Sequence, residues 1–280
     1  MAHSAKEIRV APIACADARE LVRRIHYSGK VANNSQLHFG VFLNGKLEGA
    51  MQFGPSLDKR KIQGLVNGTG WNSFLELNRM AFSEALPRNS ESRALSVAFR
   101  LIRKHYPHID WIVSFADGAQ CGDGTIYRAS GFVLTGIKKN TQVWSAPSGE
   151  KFSRMSLTDQ TSSQQKQQAK QVISRTSMTK AGNNHASGAA SMKAYAAAGF
   201  RPIPGFQLRY IYFLDPTARA RLMVPILPFS RIAEMGAGMY RGKTRAKSIV
   251  ADAPAIHAGE GGSVPTLALH ITTGPKEAHT

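Results

Sequence analysis

Residues 38–54, HFGVFLNGKLEGAMQFG, predict the first element of the fold. Two apolar runs flank Asn44-Gly45, a dipeptide that readily adopts the positive φ angles of a tight two-residue turn. The stretch therefore predicts a hairpin of two antiparallel strands, at 38–43 and 46–54.

Strand-like and helix-like apolar patterns alternate on both sides of this hairpin. The nearly continuous apolar run DWIVSFAD (110–117) predicts a strand buried on both faces. Residues 92–105 place Leu95, Phe99 and Ile102 on one stripe of a helix. The full pattern predicts an α/β protein, with further strands at 7–13, 75–82, 132–144, 151–157 and 206–214 and further helices at 15–27, 122–132 and 192–200.

Composition divides the chain into four parts. Residues 1–158 contain most of the predicted elements and form the expected core. Residues 159–193 are rich in Gln, Lys and Arg, which predicts a basic insertion, either a solvated helix or a flexible linker. Residues 194–249 contain the last core strand and a basic extension. Residues 250–280, dominated by Ala, Gly, Pro and Thr, predict a disordered tail.

The net charge of +18, with a pI near 10.3, is concentrated after residue 150. Residues 1–150 carry 19 basic and 12 acidic side chains, whereas residues 151–250 carry 16 and 3. Such an excess attracts polyanions, so we predict nucleic acid as a partner. The side chains predicted to contact phosphates are Lys166, Lys170, Arg175, Arg209, Arg219, Arg221, Arg241, Lys243, Arg245 and Lys247.

The remaining composition argues against several classes of protein. Two cysteines, Cys15 and Cys121, cannot build a disulfide framework, and their spacing does not fit a zinc site. The start of the chain, MAHSAKEIRV, lacks the apolar region of a signal peptide, and no apolar run approaches the ~20 residues of a membrane span. We therefore expect a cytoplasmic protein with no membrane partner.

The order of these elements resembles the GNAT acyltransferase fold. That resemblance implies a mixed, mostly antiparallel sheet with flanking helices, in which two parallel strands splay apart around the acyl donor. LELNRMAF (75–82) and DWIVSFAD (110–117) match the splayed pair, and IYRASGF (126–132) resembles the helix whose tyrosine reaches the leaving group. The stretch ALPRNSESRAL (85–95) departs from the family, because it lacks the glycine pair that cradles the pyrophosphate of CoA.

Four separated blocks resemble the Mom-like proteins of Mu-like bacteriophages more specifically. They are HYSGK (26–30), LELNRMAF (75–82), SFADGAQCGDGTIYRASGF (114–132) and GFQLRYIYFLDP (205–216). The resemblance implies an enzyme that converts adenine in double-stranded phage DNA to N6-carbamoylmethyladenine, which shields the DNA from restriction in the host cytoplasm. Two alternatives remain open: an ordinary CoA-dependent N-acetyltransferase of a protein or small amine, and a non-catalytic basic DNA-binding protein.

The product implied by the resemblance bears on the donor. The carbamoylmethyl group is an isomer of a glycyl group, whereas acetyl transfer would leave a different substituent. An activated glycine such as glycyl-tRNA is therefore the favoured donor, with tRNA as a second nucleic-acid partner, and acetyl-CoA is the alternative. Iron or another metal at His26, His38 and Asp117, a nucleophilic Cys121 and a homodimer are left open.

Four residues are predicted to be catalytic, each beside a structural alternative. Asp117 ends a buried strand and can act as general base or pair with the donor's amine; otherwise it caps a helix. Tyr127 can donate to an oxyanion or leaving oxygen; otherwise it packs in the core. Arg79 lies in an apolar strand and needs an anion, either Glu76 or Asp117 or a bound phosphate or carboxyl group. His26 can be a base, an adenine contact, a metal ligand or an ordinary histidine at a helix end.

Four further residues are predicted to bind substrate. Tyr27 can stack on an extruded adenine, and Ser28 begins a loop that lines the acceptor cleft in the GNAT fold. Ser114 can hydrogen-bond the donor. Arg93, together with Arg88, can help backbone amides at a helix start to hold a phosphate.

Overall fold

The computed structural model describes residues 3–26, 29–119, 121–154, 157, 188–240 and 243–244. Its strands are β1 (Arg9–Pro12), β2 (Leu37–Leu43), β3 (Lys46–Gly54), β4 (Phe74–Phe82), β5 (Trp111–Asp117), β6 (Val133–Lys139), β7 (Val143–Ser145), β8 (Lys151–Ser153), β9 (Arg201–Pro202), β10 (Phe206–Phe213), β11 (Met239–Tyr240) and β12 (Lys243–Thr244). Its helices are α1 (Cys15–Ile25), α2 (Lys59–Gln63), α3 (Ser90–His105), α4 (Thr125–Ala129), α5 (Gly188–Ala197) and α6 (Ser230–Glu234), with 3₁₀ turns at Ala5–Glu7 and Pro216–Arg221.

Seven strands form the main sheet in the order β1-β2-β3-β4-β5-β10-β6. Every neighbouring pair is antiparallel except β4 and β5, which run parallel. Their pairing covers only residues 74–76 against 111–113, after which the two strands separate. The predicted mixed, mostly antiparallel sheet with one splayed parallel pair is confirmed.

Helices cover both faces of the sheet because apolar residues alternate along its strands. On one face α3 buries Leu95, Phe99 and Ile102 in the largest core cluster. On the other face α1 buries Leu21 and Val22 against alanines of β3 and β4. The first four residues of β5, 111–114, are buried on both faces as the sequence predicts, whereas Phe115 is 39% exposed and lines the cavity described below. Helices α1 and α3 thus hold the diverging strands between them.

The predicted strand 132–144 is wrong in its second half, where Asn140 ends β6. The buried Asn140 side chain accepts from the amides of Gln142 and Val143 and donates to the carbonyls of Val143 and Ile203. These bonds replace strand pairing with a turn, and the chain continues into a second sheet.

This small sheet, ordered β8-β7-β9, has a hydrophobic cluster of its own with α5. Phe152, Tyr195 and Phe200 pack there with ring centroids 5.2–5.8 Å apart. Its strands precede and follow the predicted insertion 159–193, most of which lies outside the described residues, as does the predicted tail 250–280. All described residues belong to one compact unit, and none of their helices is long and apolar enough to cross a membrane.

Candidate active site

A cavity of about 630 Å³ occupies the gap where β4 and β5 separate. Residues from both strands line it, together with the end of α1, the loop into α4 and the edge of the small sheet. Its polar lining residues include His26, Lys30, Glu76, Asn78, Arg79, Asp117, Cys121, Asp123, Thr125, Tyr127 and Lys151. The structure therefore brings all four predicted catalytic residues to one cavity.

Asp117 stands at the carboxyl end of β5, where the chain turns sharply. Its side-chain oxygen accepts from the amide of Ala119 at 3.1 Å, and its carbonyl accepts from the amides of Cys121 and Gly122. The alternative of a cap for the following helix does not apply, because α4 begins eight residues later with Gly124 at its N-cap. The turn fixes the Asp117 carboxyl at the cavity wall.

Asp123, which sequence reasoning missed, anchors the start of α4. The buried carboxylate accepts from the guanidinium of Arg128 at 3.0 Å and from the hydroxyl of Thr125 at 3.2 Å. The hydroxyl of Tyr210 donates to the Asp123 carbonyl at 2.5 Å. Gly124 follows with φ of +85°, and a side chain there would meet the Tyr210 ring at 2.4 Å. The signal in the sequence was the Asp-Gly pair before IYRASGF.

Tyr127 belongs to both the core and the cavity. Its ring packs against Phe132 and Tyr210 at centroid distances of 5.2 and 5.3 Å. Its hydroxyl lies near the buried Ser114, whose own hydroxyl donates to the carbonyl of Leu77 at 3.5 Å. Burial raises the pKa of Tyr127 to about 12, so the phenol is protonated at neutral pH and can donate.

Arg79 is held by backbone carbonyls. Its Nε donates to Lys30 at 2.9 Å and its Nη1 to Asn78 at 2.6 Å. The predicted ion pair with Glu76 or Asp117 is not formed within the described part of the chain. Because backbone carbonyls do not neutralise its charge, the Arg79 guanidinium can also attract a bound anion or an oxygen that becomes negative during a reaction.

His26 ends α1 and faces the same cavity as Arg79. Burial, and secondarily the Arg79 charge, lowers its pKa from 6.5 to about 4. The imidazole is therefore uncharged at neutral pH and can accept a proton or bond the edge of a base.

Glu76, for which the sequence predicts only a pairing with Arg79, lies at the apex of the gap. It belongs to the last residue pair before β4 and β5 separate. Burial raises its pKa, and the neighbouring Ser56, Asn78 and Arg79 partly oppose that rise. The apex thus holds a buried carboxyl whose protonated form is favoured more than that of an exposed glutamate.

The structure does not bring together the predicted metal ligands. His38 lies on β2, 3.5 Å from the amide of Gln52, and does not line the cavity that His26 and Asp117 share. Among the described residues no three His, Cys, Asp or Glu side chains form a metal-binding group.

Arg93 lies outside the main cavity. It is exposed on α3 and borders a separate cleft of about 440 Å³ with Lys6, Asn89 and Ser92. Asn89 has φ of 67°, and its side chain accepts no hydrogen bond from the backbone amides at the start of α3. A phosphate role for Arg93 would therefore belong to this second cleft.

Three of the predicted phosphate-binding residues have described side chains. The guanidinium of Arg209 is bound by Thr135, at 3.0 Å to its hydroxyl and 2.8 Å to its carbonyl. Arg221 pairs with Asp110 at 3.1 Å, and Arg219 is exposed in the 3₁₀ turn before it. Lys243 is placed in β12 by its backbone alone. Tyr27, Ser28, Lys166, Lys170, Arg175, Arg241, Arg245 and Lys247 lie outside the described residues.

Residues 7–231 match the sequence profile of the Mom protein family, which is most of the chain. The chain belongs to this family. The methylcarbamoylase mom of Escherichia phage Mu is 42% identical over 140 residues, a match that covers 50% of this chain and 58% of that protein. The match thus spans less than two thirds of the relative's length. The resemblance to Mom-like proteins predicted from the four sequence blocks is confirmed.

Comparison with solved structures finds acetyltransferases at low identity and low TM-score. A GNAT-family acetyltransferase from Streptococcus pneumoniae is 16% identical with a TM-score of 0.33, covering 48% of the Mom-family chain and 90% of its own. A GNAT-family acetyltransferase from Elizabethkingia anophelis, with acetyl-CoA bound, is 15% identical with a TM-score of 0.32, covering 48% and 82%.

Proposed function

We propose that this Mom-family chain modifies adenine in phage DNA to N6-carbamoylmethyladenine in the host cytoplasm, and that the mark protects the DNA from restriction. The observation that carries the proposal is the single cavity that holds Asp117, Tyr127 and an uncharged His26. The name of the Mu relative, a methylcarbamoylase, supports a transferase of this kind.

The acceptor in this proposal is an adenine extruded from the duplex. N6 of adenine is inaccessible to a protein cavity while the base is stacked, so the base must rotate out of the helix. A volume of about 630 Å³ falls in the range of small-molecule sites and accommodates a purine with part of a donor. Tyr27, which directly follows the cavity residue His26 in the sequence, is proposed to stack on it.

The polar residues of the cavity have different roles in the proposed transfer reaction. Asp117 or His26 accepts the proton that adenine N6 loses as the new bond to carbon forms. The protonated Tyr127 donates to the oxygen that becomes negative in the tetrahedral intermediate, or to the leaving oxygen. Arg79 stabilises the same developing charge from the opposite strand.

The donor we propose is an activated glycine ester, with glycyl-tRNA as the example. Adenine N6 attacks the ester carbonyl, the ester oxygen leaves with a proton, and N6-glycyladenine forms. The glycine amine then attacks C6 through a five-membered ring, and the original N6 departs from C6 as the amide nitrogen. This isomerisation gives N6-carbamoylmethyladenine without an oxidant or a second donor.

Nitrogen labelling tests this order of bond changes. Cells that express the protein are grown with ¹⁵N-glycine, and the modified nucleoside is fragmented in a mass spectrometer. We expect the label on the nitrogen attached to C6. Label in the terminal carboxamide would contradict the rearrangement, while leaving the modification itself intact.

Nucleoside analysis tests the function directly. DNA from cells expressing the chain should contain an adenosine heavier by the mass of C₂H₃NO. The variant Asp117→Asn should not produce this modified adenosine, although it should still bind DNA. An acetyl increment on adenosine would show that the transferred group is acetyl, and unmodified DNA would favour the two alternatives, an acetyltransferase of a protein or small amine and a non-catalytic DNA-binding protein. Either result would overturn the proposal.

A further inference from the structure

The loop that follows β3 is fastened to the wall of the cavity. The carbonyl of Pro55 accepts from the side-chain amides of Asn34 at 2.8 Å and of Asn78, a cavity residue, at 3.5 Å. Gly54 allows this close approach, because a side chain there would lie 2.7 Å from the carbonyl of Asn34. Ser56 comes next, buried beside the Glu76 carboxyl. The loop therefore has a fixed position relative to the site.

Leu57, one residue beyond Ser56, extends into solvent. At 80% exposure it is the most exposed large hydrophobic side chain among the described residues. The side chain is not on a loose loop, since Asp58 next to it caps α2 by accepting from the amide of Lys61 at 3.4 Å. Consecutive Cα atoms are about 3.8 Å apart, so Leu57 lies directly after the two loop residues, Pro55 and Ser56, that contact the cavity residues Asn78 and Glu76.

The surface around Leu57 has the character of a nucleic-acid contact. Lys59, Arg60 and Lys61 follow in an unbroken basic run. The ammonium of Lys59 lies 4.5 Å from the ring centroid of Trp71, whose side chain is half-exposed. Adjacent cations, an exposed aromatic ring and one protruding apolar side chain complement phosphates and stacked bases.

We propose that Leu57 enters the base stack at the position that the extruded adenine leaves, while Lys59, Arg60 and Lys61 hold the flanking phosphates. The inference rests on the proposed function, which requires the base to leave the duplex. A vacated stack costs a few kcal/mol in lost stacking, and an apolar side chain that fills the gap recovers part of it. Because the loop that ends at Leu57 contacts the cavity residues Asn78 and Glu76, Leu57 meets the duplex next to the nucleotide that occupies the site.

The test measures base extrusion without donor or chemistry. The full-length chain is titrated onto random-sequence duplex DNA in which 2-aminopurine replaces a fraction of the adenines; the fluorescence of this base rises when it is unstacked. We expect a rise with the natural chain, a rise reduced about tenfold with Leu57→Ala, and a preserved rise with Leu57→Met. Binding of the three proteins to DNA, measured by anisotropy, should agree within about threefold.

Met223 provides the matched control. It is 64% exposed, and its amide bonds the carbonyl of Leu65; neither residue lines the cavity. Met223→Ala should leave the fluorescence rise unchanged, which separates the position of Leu57 from a general loss of apolar surface.

Three results would overturn the inference. The first is a full rise with Leu57→Ala. The second is no rise with the natural chain although DNA from expressing cells carries the modification. The third is a rise reduced to the same extent by Leu57→Ala and Met223→Ala, which would assign the effect to a general loss of apolar surface. Failure of the proposed function would appear instead as unmodified nucleosides in the separate DNA digest.

Discussion

The Tyr127 hydroxyl lies inside the cavity and remains protonated, because burial raises its pKa to about 12. Tyr127→Phe removes this donor and keeps the ring contacts with Phe132 and Tyr210. We expect the rate of DNA modification to fall by roughly 10²–10³, the usual cost of losing one oxyanion donor. The measurement is the modified fraction of adenosine over time. Tyr195→Phe removes a buried hydroxyl from the small cluster and should leave the rate unchanged.

His26 makes stability depend on pH in a defined window. Its pKa is about 4 in the folded chain and about 6.5 when unfolded, so the unfolded state binds more protons between these values. The stabilisation is complete above pH 6.5 and is lost as the pH falls toward 4, by roughly 3 kcal/mol in total. Urea unfolding across this range should show a smaller pH dependence for His26→Gln. An equal pH dependence in both proteins would contradict the lowered pKa.

Some residues of the candidate site could be predicted from the sequence around them, and others could not. Asp117 and Tyr127 stood out because a carboxyl ends an apolar strand and a tyrosine precedes Gly131-Phe132 in a short helix. The sequence does not predict Glu76 and Asp123 as site residues, because the role of a buried carboxyl depends on the side chains that contact it in the folded chain. Asp123 meets Arg128 and Tyr210, and the Tyr210 contact comes from a strand 87 positions away.

At the scale of elements, the turn into α4 positions Tyr127 and leaves no space at Gly124. Gly124→Ala adds a side chain at φ of +85° and 2.4 Å from the Tyr210 ring, so we expect a loss of several kcal/mol in unfolding free energy and loss of modification. Gly131→Ala meets a similar φ of +81°, but its nearest contact is 3.6 Å away. It should cost only about 1–2 kcal/mol. Urea unfolding compares the two, and equal losses would contradict the steric explanation.

Elements with strong local patterns were predicted well, and those set by side-chain turns were not. The hairpin around Asn44-Gly45 and the buried strand β5 form as their sequences indicate. The 132–144 strand fails at Asn140, because a polar residue with four bonding partners in the fold looks like any other polar residue in sequence. The small sheet could not be predicted from local patterns either, because β9 pairs with β7 although more than fifty residues separate them in the sequence.

At the scale of the whole molecule, the charge of +18 predicts DNA binding that weakens steeply with salt. Each neutralised phosphate contributes a slope of about −0.9 to the plot of log affinity against log salt concentration. Replacing Lys166, Lys170 and Arg175 with Gln should therefore reduce the slope by up to about 2.7 if all three contact phosphates. The control replaces three exposed basic residues of the core, Arg100, Lys104 and Lys139, and has the same net charge. If the two triple variants have the same slope, the phosphate contacts are spread over the protein surface, and residues 159–193 are not the main DNA-binding segment.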